Sequence, residues 1–317
     1  MSDTARTKQR AVQKKDAADR RTLLIGIAVF AAAIVTAVVF LSSGGAPRET
    51  VEFPDIHGIS FTGDGTQIRV ATHYGLVAYA DGRWSKPDLP VNDYMGYSGT
   101  QDGFFTSGHP SPGSNLPNPV GLLRSDDHGA TIQTVAFSGE TDFHVMGAAY
   151  YGETVYVLNA TPNSTLSTGL YYSLDGGTSW EQSAARGLTA APLQLAVHPR
   201  EPGIVAAATL GGLYLSDDFG QSFTRIGGED LVTFAVFDPD GERMLFGLDS
   251  VFVFTRTSGE VAPLPTAPAV DAEQAILFAA VSPTAAEIAV TTSDLDVLLS
   301  RDGGRSWRKI GQDGKSL

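Results

Sequence analysis

One short turn is written into this chain four times. Residues 171–180 read YYSLDGGTSW, and near-copies stand at 122–132 (LLRSDDHGATI), 213–223 (LYLSDDFGQSF) and 298–307 (LLSRDGGRSW). Each copy follows one plan: an apolar run, a Ser, an Asp, a Gly, and then in three of the four an aromatic that opens a further strand-like run. The Asp carboxylate can accept backbone N–H groups inside a tight turn, and the Gly supplies a φ > 0 position. The aromatic can pack between neighbouring sheets. A turn of this kind is a structural clip, and its repetition means that the fold itself is repeated.

The repeat extends outwards from the turn. Residues 191–226 contain four strand-like runs, LQLAV, IVAAAT, GLYLS and SFTRI. Comparable units begin near His57, Tyr94, His144, Leu193, Val232 and Ile276. Their spacing is roughly 40–50 residues, the period of propeller blades. The first unit ends in a degenerate turn, YADGRW, and the fifth, VFVFTRTSGEVAPL, has lost its Asp. The chain holds 35 Gly and only 18% charged residues, which suits short strands and turns. The expected fold is all-β: a single β-propeller of about six four-stranded blades over residues 51–317, preceded by one transmembrane helix. No linker interrupts the series, so two smaller domains are excluded.

The turn resembles the Asp-box (BNR) repeat, S-x-D-x-G-x-x-W. Residues 173–180 match it fully, and 300–307 match apart from Arg301 at a variable place. Residues 125–132 lack the aromatic, and 216–223 carry Phe for Trp. Sialidases, sortilin-like receptors and photosystem II assembly factors of the Ycf48 type share this superfold. The resemblance implies that Asp127, Asp175, Asp218 and Asp302 are structural clips between the third and fourth strands of their blades. It implies that Trp180 and Trp307 are their packed aromatics, expected to be largely buried. The stretches DIHGISF, ATHYGL and DGFFTSGHP are similar to bacterial membrane-anchored Asp-box proteins labelled as glycosylhydrolases.

The first fifty residues differ in kind. Residues 1–22 form a basic tail with Arg6, Lys8, Arg10, Lys14, Lys15, Arg20 and Arg21. The run LLIGIAVFAAAIVTAVVFL follows without a charge, and residues 23–42 are read as a transmembrane helix. Residues 43–50 are a linker. The positive charge precedes the span, so the tail is expected in the cytoplasm and the propeller outside it, tethered to the cell membrane by a single pass. A cleaved signal peptide is the competing reading; the apolar run is longer than the usual h-region and no A-x-A site follows closely.

Strand order sorts the loops onto two faces. The starts of the innermost strands and the turns joining second to third strands lie on one face, here called the top. The Asp boxes lie on the other. The top face is expected to collect His57, His73, Asp93, Tyr94, His109 and His144 as a ligand-binding group, with Asp55 and Asp142 nearby. His57, His73 and His109 sit at neighbouring strand ends, so they are the candidate metal ligands. A transition metal, copper or zinc, is the cofactor such a cluster would hold. Thioethers from Met95 or Met146 would favour copper(I). A His at a strand end often only hydrogen-bonds a neighbouring loop, and that reading stands beside the metal.

Composition narrows the function. The formal net charge is −13, so the main body lacks the basic surface that nucleic acid needs. There is no Cys to supply a thiolate. The sequence contains no complete nucleophile elbow, P-loop or EF-hand loop. A sialidase would need an arginine cluster for the sialic carboxylate, and only Arg186 is expected to reach the top face. Two functions remain. The first is a membrane-tethered binding or assembly module that holds a protein or glycan on its top face. The second is a glycoside hydrolase of the Asp-box type, which would need two carboxylates about 5–10 Å apart or a Tyr nucleophile.

Overall fold

The computed structural model describes residues 50–228, 230–271 and 273–317. The basic tail, the apolar span and nearly all of the linker fall outside the described residues. Among the described residues no helix is long and apolar enough to cross a membrane.

Six antiparallel sheets follow one another along the chain, each made of consecutive strands. Their innermost strands are Ile56–Phe61, Asn92–Gly99, Met146–Ala148, Pro192–Val197, Phe234–Phe237 and Ile276–Val281. These strands contact each other in order, and the sixth returns to the first, so the ring closes. Alternating side chains build the packing between blades. Val205, Ala207, Leu195 and Tyr214 of the fourth blade meet Tyr156 and Tyr172 of the third in one buried cluster. Close approach at the axis demands small residues. A Cβ on Gly96 would stand 2.0 Å from the Phe143 carbonyl oxygen, and one on Gly58 would stand 2.7 Å from the Tyr97 ring.

The sixth blade carries a fifth strand that the repeat did not foretell. Lys315–Ser316 pairs with Arg308–Gln312. It also meets the segment before the first blade: Glu52 bridges Lys315, and the Ser316 amide donates to the Val51 carbonyl. Residues from both ends of the described fold thus close the seam between blades six and one.

The four Asp boxes adopt one geometry at one place, the turn between the third and outermost strands. In each, the Ser Oγ (Ser125, Ser173, Ser216, Ser300) donates to an Asp Oδ1 and accepts the amide of the following Gly. The Asp then accepts an amide and a hydroxyl from Thr131, Ser179, Ser222 or Ser306. Hydrogen bonds to the ionised carboxylate hold Asp175, Asp218 and Asp302 down at about 2, the hydroxyl bond contributing most. Amide and hydroxyl bonds from Thr131 also lower Asp127. A depressed carboxyl stabilises the fold above its unfolded value of about 3.9, and that contribution fades as pH falls through its folded value. Stability is therefore expected to decline between about pH 4 and pH 2. The decline should be shallower in an Asp175→Asn, Asp218→Asn double variant, as read by urea melts at stepped pH.

Trp180 and Trp307 are half-buried, not largely buried as expected. They stand on the outermost edge of their blades. Trp180 packs one face on Phe137 and Phe143 and donates Nε1–H to the Gly177 carbonyl. Trp307 donates to the Thr266 carbonyl of the preceding blade. Each covers an inter-blade gap while part of its indole stays in water.

Candidate functional site

Backbone irregularity aims the top-face side chains. In the first blade Ile56 pairs with Thr72 and Gly58 with Ala71, so His57 is the extra residue of a β-bulge. Asp55, just before it, takes φ 61°, a left-handed conformation uncommon for a residue with a Cβ. His73 follows the second strand in a turn tied by two Thr72 Oγ1 bonds, one to the Gly75 carbonyl and one from the Tyr74 amide. In the second blade Asp93 pairs directly with His109, and the register then shifts before Gly96. The segment holding Asp142 and His144 is strapped to that blade through Phe143, whose amide donates to Ser107 Oγ.

The result is a continuous array of Asp and His across three blades. His57 Nε2 lies 2.9 Å from His73 Nδ1. Asp93 Oδ1 is 3.1 Å from His73 Nδ1 and 3.6 Å from His57 Nε2. Asp55 Oδ2 is 3.9 Å from His73 Nδ1. Beside this group, Asp142 Oδ2 is 2.5 Å from His144 Nε2 and 3.3 Å from His109 Nε2. His109 Nδ1 meets Asn118 Oδ1 at 2.7 Å, an acceptor that calls for a proton on Nδ1.

Burial is uneven within the array. The side chains of His57, Asp93 and Asp142 are at most 16% exposed, whereas the other four members are open to solvent. Burial pushes the Asp93 carboxyl up, against the pull of His73, His57 and His109, while Asp142 adds to the rise. Burial likewise lowers His57, against Asp55 and Asp93, and His73 and His144 lower it further. Asp93 Oδ1 and Asp142 Oδ1 are buried with no hydrogen bond. The Asp93 contact with His73 is close but is not aligned as a hydrogen bond.

The structure distributes the candidate residues differently from the sequence. His57 and His73 meet, but His109 joins Asp142 and His144 in a separate group rather than completing a triad with them. The cause is the strand register, which sets His109 opposite Asp93 and toward the third blade. Tyr94 is not a top-face ligand. It is 1% exposed, packed with Ala71, Leu76 and Phe104, and its hydroxyl donates to the Pro90 carbonyl. Met146 is buried in the core between blades. Arg186 does not stand in the array: its backbone bridges Ser222 inside the fourth blade's Asp box. Asn118 was missed, having no motif to mark it. One signal was available and unused. D-x-H recurs at 55–57 and 142–144, setting a carboxylate two residues before an imidazole in both segments.

Along the axis lies a partly open pocket of about 110 Å³, lined by residues such as Gly58, Ser60, Tyr97, Leu195 and Ala279. Its chemistry is sparse. Ser60 Oγ and the Tyr97 hydroxyl bond each other at 2.8 Å, and burial raises that phenol to about 12.

The BNR/Asp-box repeat family model matches residues 171–182, on the second of the four boxes. The described residues form a six-bladed β-propeller with four Asp-box turns. No match was found among curated protein sequences. Among solved structures, the propeller is similar to the GH74 enzyme of Niastella koreensis, with 14% identity and a TM-score of 0.56 over 82% of this chain and 45% of that one. It is also similar to the GH74 xyloglucanase of Xanthomonas campestris, with 15% identity and a TM-score of 0.50 over 83% and 47%. YCF48 bound to D1 peptide matches with 16% identity and a TM-score of 0.49 over 84% and 85%. The propeller spans less than half the length of the two GH74 enzymes, and at this identity the likeness is one of fold.

Proposed function

We propose that this chain is a membrane-tethered binding module whose top face holds a protein partner. The observation that carries the reading is how exposed apolar side chains are sorted. Nine large ones are exposed among the described residues: Tyr74, Val91, Leu116, Leu174, Leu193, Leu210, Phe252, Val261 and Leu317. Of these, Tyr74, Val91, Leu116, Leu193 and Leu210 stand at innermost-strand starts or second-to-third turns, which is the top face. Isolated exposed apolar residues are ordinary; their gathering on one face around a polar array marks an interaction surface. Leu210 is 67% exposed and Tyr74 55%, so they have area to lose on contact. The apolar run at 23–41 supplies the tether, with the propeller outside the cytoplasm.

The test is site-specific photocrosslinking in native membranes. A photoreactive residue at position 74, 116 or 210 should give an adduct with one defined protein. The same probe at Leu174, on the Asp-box face, should give none. Equal adducts from both faces, or none from the top, would overturn the reading.

A second reading, glycoside hydrolysis, rests on Asp93 and Asp142, two shielded carboxylates that influence each other across the array. The similar GH74 folds keep a xyloglucan-type glycan in view as substrate. Purified protein is expected not to turn over xyloglucan oligosaccharides; turnover abolished by Asp93→Asn or Asp142→Asn would decide for the enzyme.

A further inference from the structure

His57 Nε2, His73 Nδ1 and Asp93 Oδ1 form a triangle with sides of 2.9, 3.1 and 3.6 Å. With both imidazoles neutral and Asp93 ionised, hydrogen bonding cannot satisfy all three atoms. If His57 donates to His73, the His73 lone pair also faces the Asp93 carboxylate. If His73 donates to His57, Asp93 Oδ1 is left with no donor, and that buried oxygen is indeed without a hydrogen bond. Either way the buried Asp93 Oδ1 is left without an aligned donor, which is costly.

A cation at the centre would meet all three. Four ligands at 2.0–2.1 Å in a tetrahedron lie about 3.3 Å apart, and the three observed separations bracket that value. Asp55 Oδ2 stands 3.9 Å from His73 Nδ1, on the exposed side, and the left-handed turn at Asp55 holds it there. We propose that His57, His73, Asp93 and Asp55 form a four-ligand site for a divalent transition-metal ion, zinc before others. The donor set is two imidazoles and two carboxylates. It lacks the thiolates and thioethers that select copper(I), and Met146 is packed away in the core. The site differs from the three-His cluster expected from sequence, because Asp93 takes the place of His109.

This goes beyond partner binding and is measured without a partner, so either inference can fail alone. The full chain, purified without chelator and equilibrated with zinc, should retain one tightly held equivalent by elemental analysis. Losing only a partner that orients a ligand costs about 10–100-fold in metal affinity; losing a ligand itself should cost at least as much, so His57→Ala, His73→Ala and Asp93→Asn should release the zinc. His128→Gln, in an Asp box, should keep it. Circular dichroism checks that each variant is folded. A second measurement needs no variant: the cobalt-loaded wild type should show the strong visible bands of a four-coordinate ion. Absence of bound zinc in the wild type overturns the proposal. So do weak six-coordinate cobalt bands, or unchanged zinc in the folded His57 and His73 variants. Zinc lost on His109→Ala but kept on His57→Ala would also overturn it, moving the ion to the neighbouring triad.

Discussion

Replacing Phe53 by Ala should destabilise the propeller by about 3–5 kcal/mol, the usual cost of emptying a buried aromatic site. Phe53 is fully buried at the seam between blades six and one. Its ring lies 4.8 Å from the Trp84 ring, centroid to centroid, and it packs so closely on Gly311 that a Cβ there would come within 2.6 Å. Its amide donates to the Gly314 carbonyl, so the residue joins the first blade to the strand turn of the last. The neighbouring side chains belong to paired strands and cannot move in to fill the space. Guanidinium denaturation of Phe53→Ala and Phe53→Leu measures it. Leu, which keeps most of the volume, should cost clearly less. A loss below about 1 kcal/mol for Ala would show that the seam does not hold the ring closed.

Lys309→Met should cost about 3 kcal/mol. The Asp296 side chain is 3% exposed, and Lys309 Nζ sits 2.5 Å from its Oδ2. The Asp313 amide donates to the other oxygen at 3.1 Å. Removing the ammonium strands a buried carboxylate, a change that costs about 3–5 kcal/mol in closed sites. Lys309 is partly open to water, which puts the expected loss at the low end of that range. The hydrogen bond to Asp296 raises the Lys309 ammonium above its ordinary value. Its contribution is therefore complete below about pH 10.4, the unfolded value, and is lost as pH rises through the raised folded value. The double variant Lys309→Met, Asp296→Asn should be more stable than Lys309→Met alone, since no charge is left behind. If the double variant is the less stable of the two, the stranded charge is not the cause.

Much of the architecture was legible because its determinants are local. Ser, Asp and Gly within five residues complete each box by short-range hydrogen bonds, so the boxes at Asp127, Asp175, Asp218 and Asp302 could be placed from their spelling. The blades that lost their box were found by period alone. The extra strand at Lys315–Ser316 was not: two residues paired to Arg308–Gln312 carry no repeat pattern, and the contacts on their other edge, to Val51 and Glu52, come from more than 260 residues away along the chain. Trp180 and Trp307 were assigned to their turns correctly and to their burial incorrectly. Position in a turn is local, but depth depends on how far the neighbouring blade reaches.

The candidate site divides in the same way. Strand order was enough to gather the His and Asp residues onto one face, because a meandering blade alternates its strand ends. Sequence could not say which of them touch. A single bulge frees His57, one register pair sets Asp93 against His109, and one Ser107 hydrogen bond docks the Asp142–His144 segment. Each is a shift of one residue or a few ångströms. Such shifts leave strand count and period unchanged, so they leave no mark on the repeat. They nonetheless decide ligand sets, because a metal or a partner reads distances of about 2–4 Å. The amino-acid sequence determined the propeller, its clips and the face where the Asp and His side chains gather; only the tertiary structure paired His57 with His73 and Asp93, moved His109 to a second group and buried Tyr94.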